Sequence, residues 1–135
     1  MNYAGIIIEN VRGQILFQLR DNKPNLLNSN LWSIFGGGIE KGETPKEAAV
    51  REIYEELGIK IKQEELRIIL IVPTSLAKLN YIYGLKTDAR FNKAKLKEGA
   101  KMQYLSINEF LRKKNVVPSL RTFLKVYKLF GNFRD

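Results

Sequence analysis

Residues 37–59 read GGIEKGETPKEAAVREIYEELGI, and they contain the best-marked helix of the chain. Thr44 is suited to cap the first turn of a helix, Pro45 to take its first position, and Glu47 to complete a capping box. Gly58 provides a C-terminal stop, because glycine readily adopts the left-handed conformation that ends many helices. The stretch therefore predicts a glycine loop followed by a well-capped helix that begins after Thr44 and ends before Gly58.

Three carboxylates share one face of this predicted helix. Glu52, Glu55 and Glu56 fall within an arc of about 100°, because positions three and four apart are neighbours on a helix surface. Like charges this close repel each other, and a cation bound among them would offset the repulsion. Ligands that are all oxygen favour a hard ion such as Mg²⁺ or Mn²⁺. A solvated acidic face is the alternative interpretation of the same pattern.

The rest of the chain is predicted to supply a sheet and two further helices. Strand patterns cover residues 4–10, 15–19, 66–72, 80–85 and 102–105. A capping box at Ser106 and Glu109 opens a helix to about residue 114, and Pro118 begins an amphipathic helix to about residue 130. The apolar face of the first helix, expected to pack on the sheet, consists of Ala49, Ile53 and Leu57.

Length and composition exclude several classes of site. The 135-residue chain has the size of one domain, which we place at residues 1–135. It contains no cysteine and no histidine, which excludes disulfides, thiolate metal sites, cysteine nucleophiles and a histidine base. No basic leader precedes the first strand and no apolar run reaches membrane-spanning length. We therefore expect a cytoplasmic protein without a membrane partner.

Positive charge is concentrated in the second half of the chain. Up to residue 70 there are nine Lys and Arg against ten Asp and Glu, a net charge of −1. From residue 71 onward there are fourteen against four, a net charge of +10, and a basic loop is predicted at residues 87–99. This asymmetry indicates an anionic partner, which is a polyphosphate, a nucleic acid or a membrane surface, but a solvated basic face explains it equally well.

The opening stretch also resembles the signature of a known enzyme family. Residues 37–59 match the Nudix box, G-x5-E-x7-R-E-U-x-E-E-x-G-U with U aliphatic, at every fixed position. With seven positions fixed at roughly one residue in twenty, a chance match in the chain is on the order of 10⁻⁷. Residues 18–20 and 97–110 resemble the family's opening strands and usual ending, so the likeness to MutT-like Nudix hydrolases covers most of the chain. The matching box positions are Gly37, Glu43, Arg51, Glu52, Ile53, Glu55, Glu56, Gly58 and Ile59.

The resemblance implies a fold and a metal site. The implied fold is the α/β Nudix fold, a mixed β-sheet sandwiched between α-helices in an α/β/α sandwich. Glu43 and Arg51 are implied to hold the carboxylates in register, with Arg51 pairing with Glu55 or with Glu43. The implied ligands of Mg²⁺, for which Mn²⁺ can substitute, are Glu52, Glu55, Glu56 and the backbone carbonyl of Gly37.

Three further residues are candidates for catalysis or substrate binding. The base that deprotonates the attacking water is either Glu52 of the box or Glu98 on a later loop, since family members use either position. Arg20 is a candidate for phosphate contact, because a guanidinium matches phosphate geometry. Trp32 is either a platform for a nucleobase or a core residue.

The implied reaction is hydrolysis of the pyrophosphate bond of a nucleoside diphosphate linked to another group. The first expectation for the nucleotide substrate is a nucleoside triphosphate, cleaved to a nucleoside monophosphate and pyrophosphate. The alternatives are ADP-ribose or a nucleotide sugar, which Pro73 weakly indicates, the 5′ end of RNA, and a non-catalytic nucleotide-binding role. RNA is not the favoured partner, and a homodimer is a further expectation because dimers are frequent in the family.

Overall fold

The computed structural model describes residues 1–26, 28–73, 78–97 and 99–129. The strands of its sheet are β1 Tyr3–Glu9, β2 Ile15–Leu19, β3 Trp32–Ser33, β4 Phe35–Gly38, β5 Arg67–Pro73, β6 Leu79–Lys86 and β7 Lys101–Leu105. The α-helices are α1 Pro45–Leu57, α2 Ile107–Arg112 and α3 Pro118–Leu129, and two short 3₁₀ helices cover Gln63–Glu65 and Ala89–Lys93. None of the helices in these ranges is both long enough and apolar enough to cross a membrane.

Strand β1 lies at the centre of the sheet. It runs parallel to β6 along its whole length, with Tyr3 aligned to Asn80 and Glu9 to Lys86. On its other side, β1 pairs antiparallel with β4 near its start and with β2 at its end. Strand β2 also pairs with β3 and β7, and β5 pairs antiparallel with β6 at the edge of the sheet. The sheet is therefore mixed, as the resemblance implied.

Alternation along the strands divides the apolar side chains between the two faces of the sheet. On β1, Ile6 packs on the side of α1, whereas Ile7 packs on the side of α2 and α3. On β2, Leu16 lies on the α1 side and Phe17 on the other, where its ring stacks on Phe110 with 4.3 Å between centroids. Helices cover both faces, and the predicted α/β/α sandwich is confirmed.

The predicted capping residues of α1 make the expected contacts. The Thr44 side chain accepts the N–H of Glu47 at 3.1 Å, and the Glu47 carboxylate accepts the N–H of Thr44 at 2.8 Å. Gly58 ends the helix with a φ of 73°, and its N–H donates to the Tyr54 carbonyl. The predicted apolar face is buried on the sheet. Burial of that face fixes the direction in which the remaining faces of α1 point.

Two predictions in the C-terminal half were wrong in detail. Helix α2 ends at Arg112 and not near residue 114, because the backbone of Lys113 is extended, with a ψ of 144°. The Arg121 guanidinium of α3 donates to the Leu111 and Lys113 carbonyls at this end. The predicted loop at residues 87–99 contains a 3₁₀ helix, because Phe91 turns inward to join the core on the α1 side. Helix α3, predicted to reach about residue 130, is described to Leu129.

The close approach of β4 to β1 requires a glycine at position 36. Its φ is 146°, and a Cβ at this position would overlap the Ala4 carbonyl oxygen, which belongs to the backbone and cannot rotate away. Gly42 also has a positive φ, 83°, but its Cβ position meets no described atom within 4 Å. We expect Gly36→Ala to lower the free energy of unfolding by more than about 3 kcal/mol, and Gly42→Ala by about 1–2 kcal/mol. Urea unfolding measures both, and equal losses would contradict the close approach.

Candidate active site

The candidate site lies where β4 passes alongside α1. Gly36 and Gly37 pair with Gly5 and Ala4 of β1, so the glycine strand is held firmly in the sheet. A Cβ at Gly37 would overlap the Glu52 carboxylate, which occupies the space that a side chain there would need. Two of the implied metal ligands, the backbone of Gly37 and the side chain of Glu52, are therefore adjacent.

Arg51 lies at the centre of a network of carboxylates. Its Nε and Nη2 donate to the two oxygens of Glu43 at 2.7 and 2.9 Å, and Nη2 also donates to the Gly38 carbonyl at 2.9 Å. Its Nη1 donates to Glu52 at 2.9 Å and to Glu55 at 3.2 Å. These partners raise the pKa of Arg51 further above its usual value, chiefly through the hydrogen bond to Glu43. Both partners considered for Arg51 from the sequence, Glu43 and Glu55, are in contact with it.

Glu56 is held by donors that belong to the sheet. It is 5% exposed; its Oε1 accepts from Gln18 Nε2 at 3.2 Å, and its Oε2 accepts from the N–H of Gly36 at 3.1 Å. Such donors matter because a buried carboxylate without them would be very unfavourable. The Glu55 side chain, by contrast, is 52% exposed. The box carboxylates therefore differ in how firmly they are held.

Two contributors to the site were missed from the sequence. Gln18 is 2% exposed and is the polar member of the otherwise apolar strand ILFQL. Alternation places it on the same face as Leu16, toward α1, and a polar residue at such a position was the signal that could have identified it. Glu40 lies 3.5 Å from Arg51 Nε, and its N–H donates to Glu43. It belongs to the loop before α1, where no periodic pattern singles out a residue.

The donor set fits a hard divalent cation in its chemistry. Glu52, Glu55 and Glu56 offer carboxylate oxygens and Gly37 a carbonyl, which are ligands that Mg²⁺ and Mn²⁺ prefer. As arranged, the described part of the chain contains no group of three acidic side chains close enough to hold a metal ion. Arg51 draws Glu52 and Glu55 toward itself, whereas Glu56 is turned toward the sheet. A metal ion held by all three carboxylates would therefore need them closer together than they lie here.

Three further candidates from the sequence have surroundings of different kinds. Trp32 is 4% exposed in the core on the α2 and α3 side, with Lys113 Nζ 4.7 Å from its ring centroid. Its environment is that of a core residue and not of an exposed nucleobase platform. Arg20 is half-buried, directly follows β2, and donates its backbone N–H to the Leu31 carbonyl at 3.0 Å. Glu98 lies outside the described residues, so its role as a base stays a prediction.

The ion pair between Glu43 and Arg51 predicts how stability depends on pH. Arg51, with help from the N–H of Glu40, lowers the pKa of the Glu43 carboxyl to about 2 from its usual 4.5. Because the pKa is lower in the folded state, the pair contributes fully above the unfolded value and less as the pH falls toward 2. We expect Glu43→Gln to destabilise the protein at pH 7, with the difference from wild type shrinking between pH 4.5 and pH 2. Urea unfolding at each pH measures this, with Glu64→Gln as a surface control. A difference that does not change with pH would contradict the assignment.

Comparison with known sequences places this geometry in a family. The profile of the NUDIX domain matches residues 1–127. RNA pyrophosphohydrolases from Psychrobacter cryohalolentis and Actinobacillus succinogenes are 39% and 41% identical to the chain over 63 and 66 residues. These alignments cover 47% and 49% of this chain but only 33% and 29% of the two relatives. The chain thus matches about a third of the length of these curated relatives.

Solved structures share the fold at lower sequence identity. The crystal structure of a MutT protein from Methanosarcina mazei has a TM-score of 0.82 at 21% identity, covering 97% of this chain and 94% of that one. An Ap4A hydrolase from C. elegans has a TM-score of 0.69 at 18% identity, covering 97% of this chain and 98% of that one. At these identities the likeness shows the fold alone. Since the NUDIX profile covers nearly the whole chain, this protein belongs to the Nudix hydrolase family.

Proposed function

We propose that the chain catalyses Mg²⁺-dependent hydrolysis of the pyrophosphate bond of a nucleoside diphosphate linked to another group. We propose that Mn²⁺ can serve in place of Mg²⁺. The first substrate class is a nucleoside triphosphate, which would yield a nucleoside monophosphate and pyrophosphate. The observation that carries this proposal is the set of Glu52, Glu55 and Glu56 carboxylates on α1, next to the glycine strand β4. An intact carboxylate set disfavours a non-catalytic nucleotide-binding role.

The residues that would hold the metal are Glu52, Glu55 and Glu56, with the carbonyl of Gly37. Mg²⁺ bound there would neutralise phosphate charge and lower the pKa of an attacking water. Within the chain, Arg51 holds Glu52 and Glu55 by hydrogen bonds of 2.9 and 3.2 Å, which limits the directions in which these carboxylates point. Such outer contacts orient ligands and tune their affinity for a metal.

Two further roles need residues beyond the metal ligands. Within the described residues, we propose Glu52 as acceptor of the proton from the attacking water, because its carboxylate lies against the backbone of Gly37. Glu98 is the alternative acceptor. We propose Arg20 as a phosphate contact, because its guanidinium presents a planar fork of donors and it lies two residues after Gln18, which contacts Glu56.

Replacement of the box carboxylates separates an enzyme from a binding protein. Glu55→Gln and Glu56→Gln each exchange an anionic ligand for a neutral amide of similar shape. We expect turnover of nucleoside triphosphates to fall by several orders of magnitude in both variants, while the melting curves show a folded protein. Glu64→Gln, on an exposed 3₁₀ helix, is the matched control and should keep wild-type turnover.

The same assay tests the metal and the substrate class. Wild-type activity should vanish in excess EDTA and return with Mg²⁺ or Mn²⁺, because the ligands are all oxygen. Products are resolved by chromatography for nucleoside triphosphates, nucleotide sugars, ADP-ribose, dinucleoside polyphosphates and triphosphorylated RNA. Full activity in EDTA, or wild-type turnover in both carboxylate variants, would show that the proposed function is wrong.

A second candidate substrate is the 5′ end of RNA. The relatives from Psychrobacter cryohalolentis and Actinobacillus succinogenes are RNA pyrophosphohydrolases, and the net charge of this chain from residue 71 onward is +10. Residues 95–97, which include two lysines, are also hydrogen-bonded to the end of α1. The N–H of Lys95 donates to the Leu57 carbonyl at 3.4 Å, and the N–H of Lys97 donates to the Glu56 carbonyl at 3.0 Å. This attachment suits an RNA backbone that extends past the cleaved phosphates.

Salt dependence distinguishes a long RNA from a mononucleotide. For single-stranded nucleic acid, the logarithm of the binding constant falls against the logarithm of salt concentration with a slope of about −0.7 per neutralised phosphate. We expect a triphosphorylated oligoribonucleotide to show a shallow slope close to that of a nucleoside triphosphate. Lys97→Gln should then change the slope no more than the control Lys125→Gln on α3. RNA would become the first candidate substrate if two results were found together. The salt dependence of RNA binding would have to be steep and be reduced by Lys97→Gln but not by Lys125→Gln, and the protein would have to release pyrophosphate from triphosphorylated RNA.

A further inference from the structure

Gln18 and Glu56 form a buried polar pair between β2 and α1. Among the described residues, they are the two polar or charged side chains, aromatic ones aside, that are buried, with exposures of 2% and 5%. They are bonded to each other, Gln18 Nε2 donating to Glu56 Oε1 at 3.2 Å, although 38 positions separate them in the chain. Burial of an amide and a carboxylate is costly unless their polar atoms are bonded. The pair therefore calls for an explanation beyond packing.

The orientation of the Gln18 amide is defined by its neighbours. Its Nε2 faces two oxygens, Glu56 Oε1 and the Ile34 carbonyl at 3.4 Å, so a flipped amide would set oxygen against oxygen. On the opposite side, a Cβ at Gly99 would lie 3.1 Å from Gln18 Oε1. The absence of a side chain at Gly99 thus leaves room for the amide. The Gln18 amide therefore directs its N–H donor at Glu56, and contacts with the sheet hold the amide in this orientation.

Glu56 is thereby fixed at both carboxylate oxygens by the sheet, since Oε2 accepts from the N–H of Gly36 in β4. Glu55 differs, because Arg51, a residue of the same helix, donates to it and its side chain is half exposed. The direction of the Glu56 carboxylate is therefore set by groups that lie outside α1. A partner that orients a ligating carboxylate typically changes metal affinity by about 10–100-fold.

We propose that Gln18 is a positioning residue for the metal site: it orients Glu56 toward a bound Mg²⁺ and thereby sets the affinity for that ion. The proposal rests on the proposed function, in which Glu56 ligates Mg²⁺. Gln18 itself touches neither the metal nor the substrate in this assignment. Its contribution comes from holding one carboxylate oxygen by a neutral donor, so that the carboxylate is already directed before the ion arrives.

The test is Mg²⁺ binding to the full chain without nucleotide, measured by isothermal titration calorimetry. Gln18→Met and Gln18→Leu both remove the amide donor, and methionine keeps nearly the length of glutamine. We expect the Kd for Mg²⁺ to rise about 10–100-fold in each folded variant. Asn80→Leu is the matched control, because Asn80 is an amide of the same sheet whose Oδ1 has no partner among the described residues. It should leave the Kd unchanged, and an unchanged Kd in Gln18→Met would overturn the proposal.

A double-mutant cycle separates positioning from a general effect on the fold. In the Glu56→Gln background, Gln18→Met should weaken Mg²⁺ binding no further, because the carboxylate that it orients is absent. An equal loss in both backgrounds would show a structural role only and would overturn the proposal. If Glu56→Gln weakens Mg²⁺ binding and Gln18→Met does not, the inference fails while the proposed function stands. If the wild type binds no Mg²⁺, both fail together.

Discussion

The hydrogen bonds and ion pairs of the Arg51 guanidinium hold the residues of the site together. Glu52, Glu55 and Glu56 lie close together on one helix and would repel each other without a compensating charge. Arg51 compensates two of them directly and also binds both oxygens of Glu43. Because its Nη2 reaches the carbonyl of Gly38 in β4, the same side chain ties the helix to the glycine strand. Charge balance and the position of α1 on the sheet are therefore coupled.

A second feature is that Glu52, Glu55 and Glu56 differ in their exposure and in the elements that hold them. Glu56 is buried and bonded to two strands, Glu52 lies between Gly37 and Arg51, and Glu55 is half exposed beside Arg51. The acidic side chains of the described residues do not form a metal site as they stand. In the proposed function, Glu55 is the exposed carboxylate with room to move toward the other two.

Basic residues beside the end of α1 have a structural use. The last turn of α1 contains no basic residue, although cations near a helix C-terminus interact favourably with its dipole. Lys60 and Lys97 come from outside the helix, and their Nζ atoms lie 5.9 and 5.5 Å from the ring centroid of Tyr54 in that turn. Positive charge there stabilises the helix whichever anion is the substrate. The +10 of the second half therefore does not by itself identify RNA as the partner.

Local sequence patterns were enough to predict α1, its caps and the face that carries the carboxylates, because these depend on residues within four positions of each other. The box identified the family because its fixed residues stand at set spacings along residues 37–59. Other features depended on contacts between distant segments. Trp32 became a core residue because α2 and α3 cover that face of the sheet, and Phe91 turned a predicted loop into a short helix. The partnership of Gln18 with Glu56 spans 38 positions. Periodicity tells which face of a strand a side chain occupies, but only tertiary packing decides which group lies opposite it.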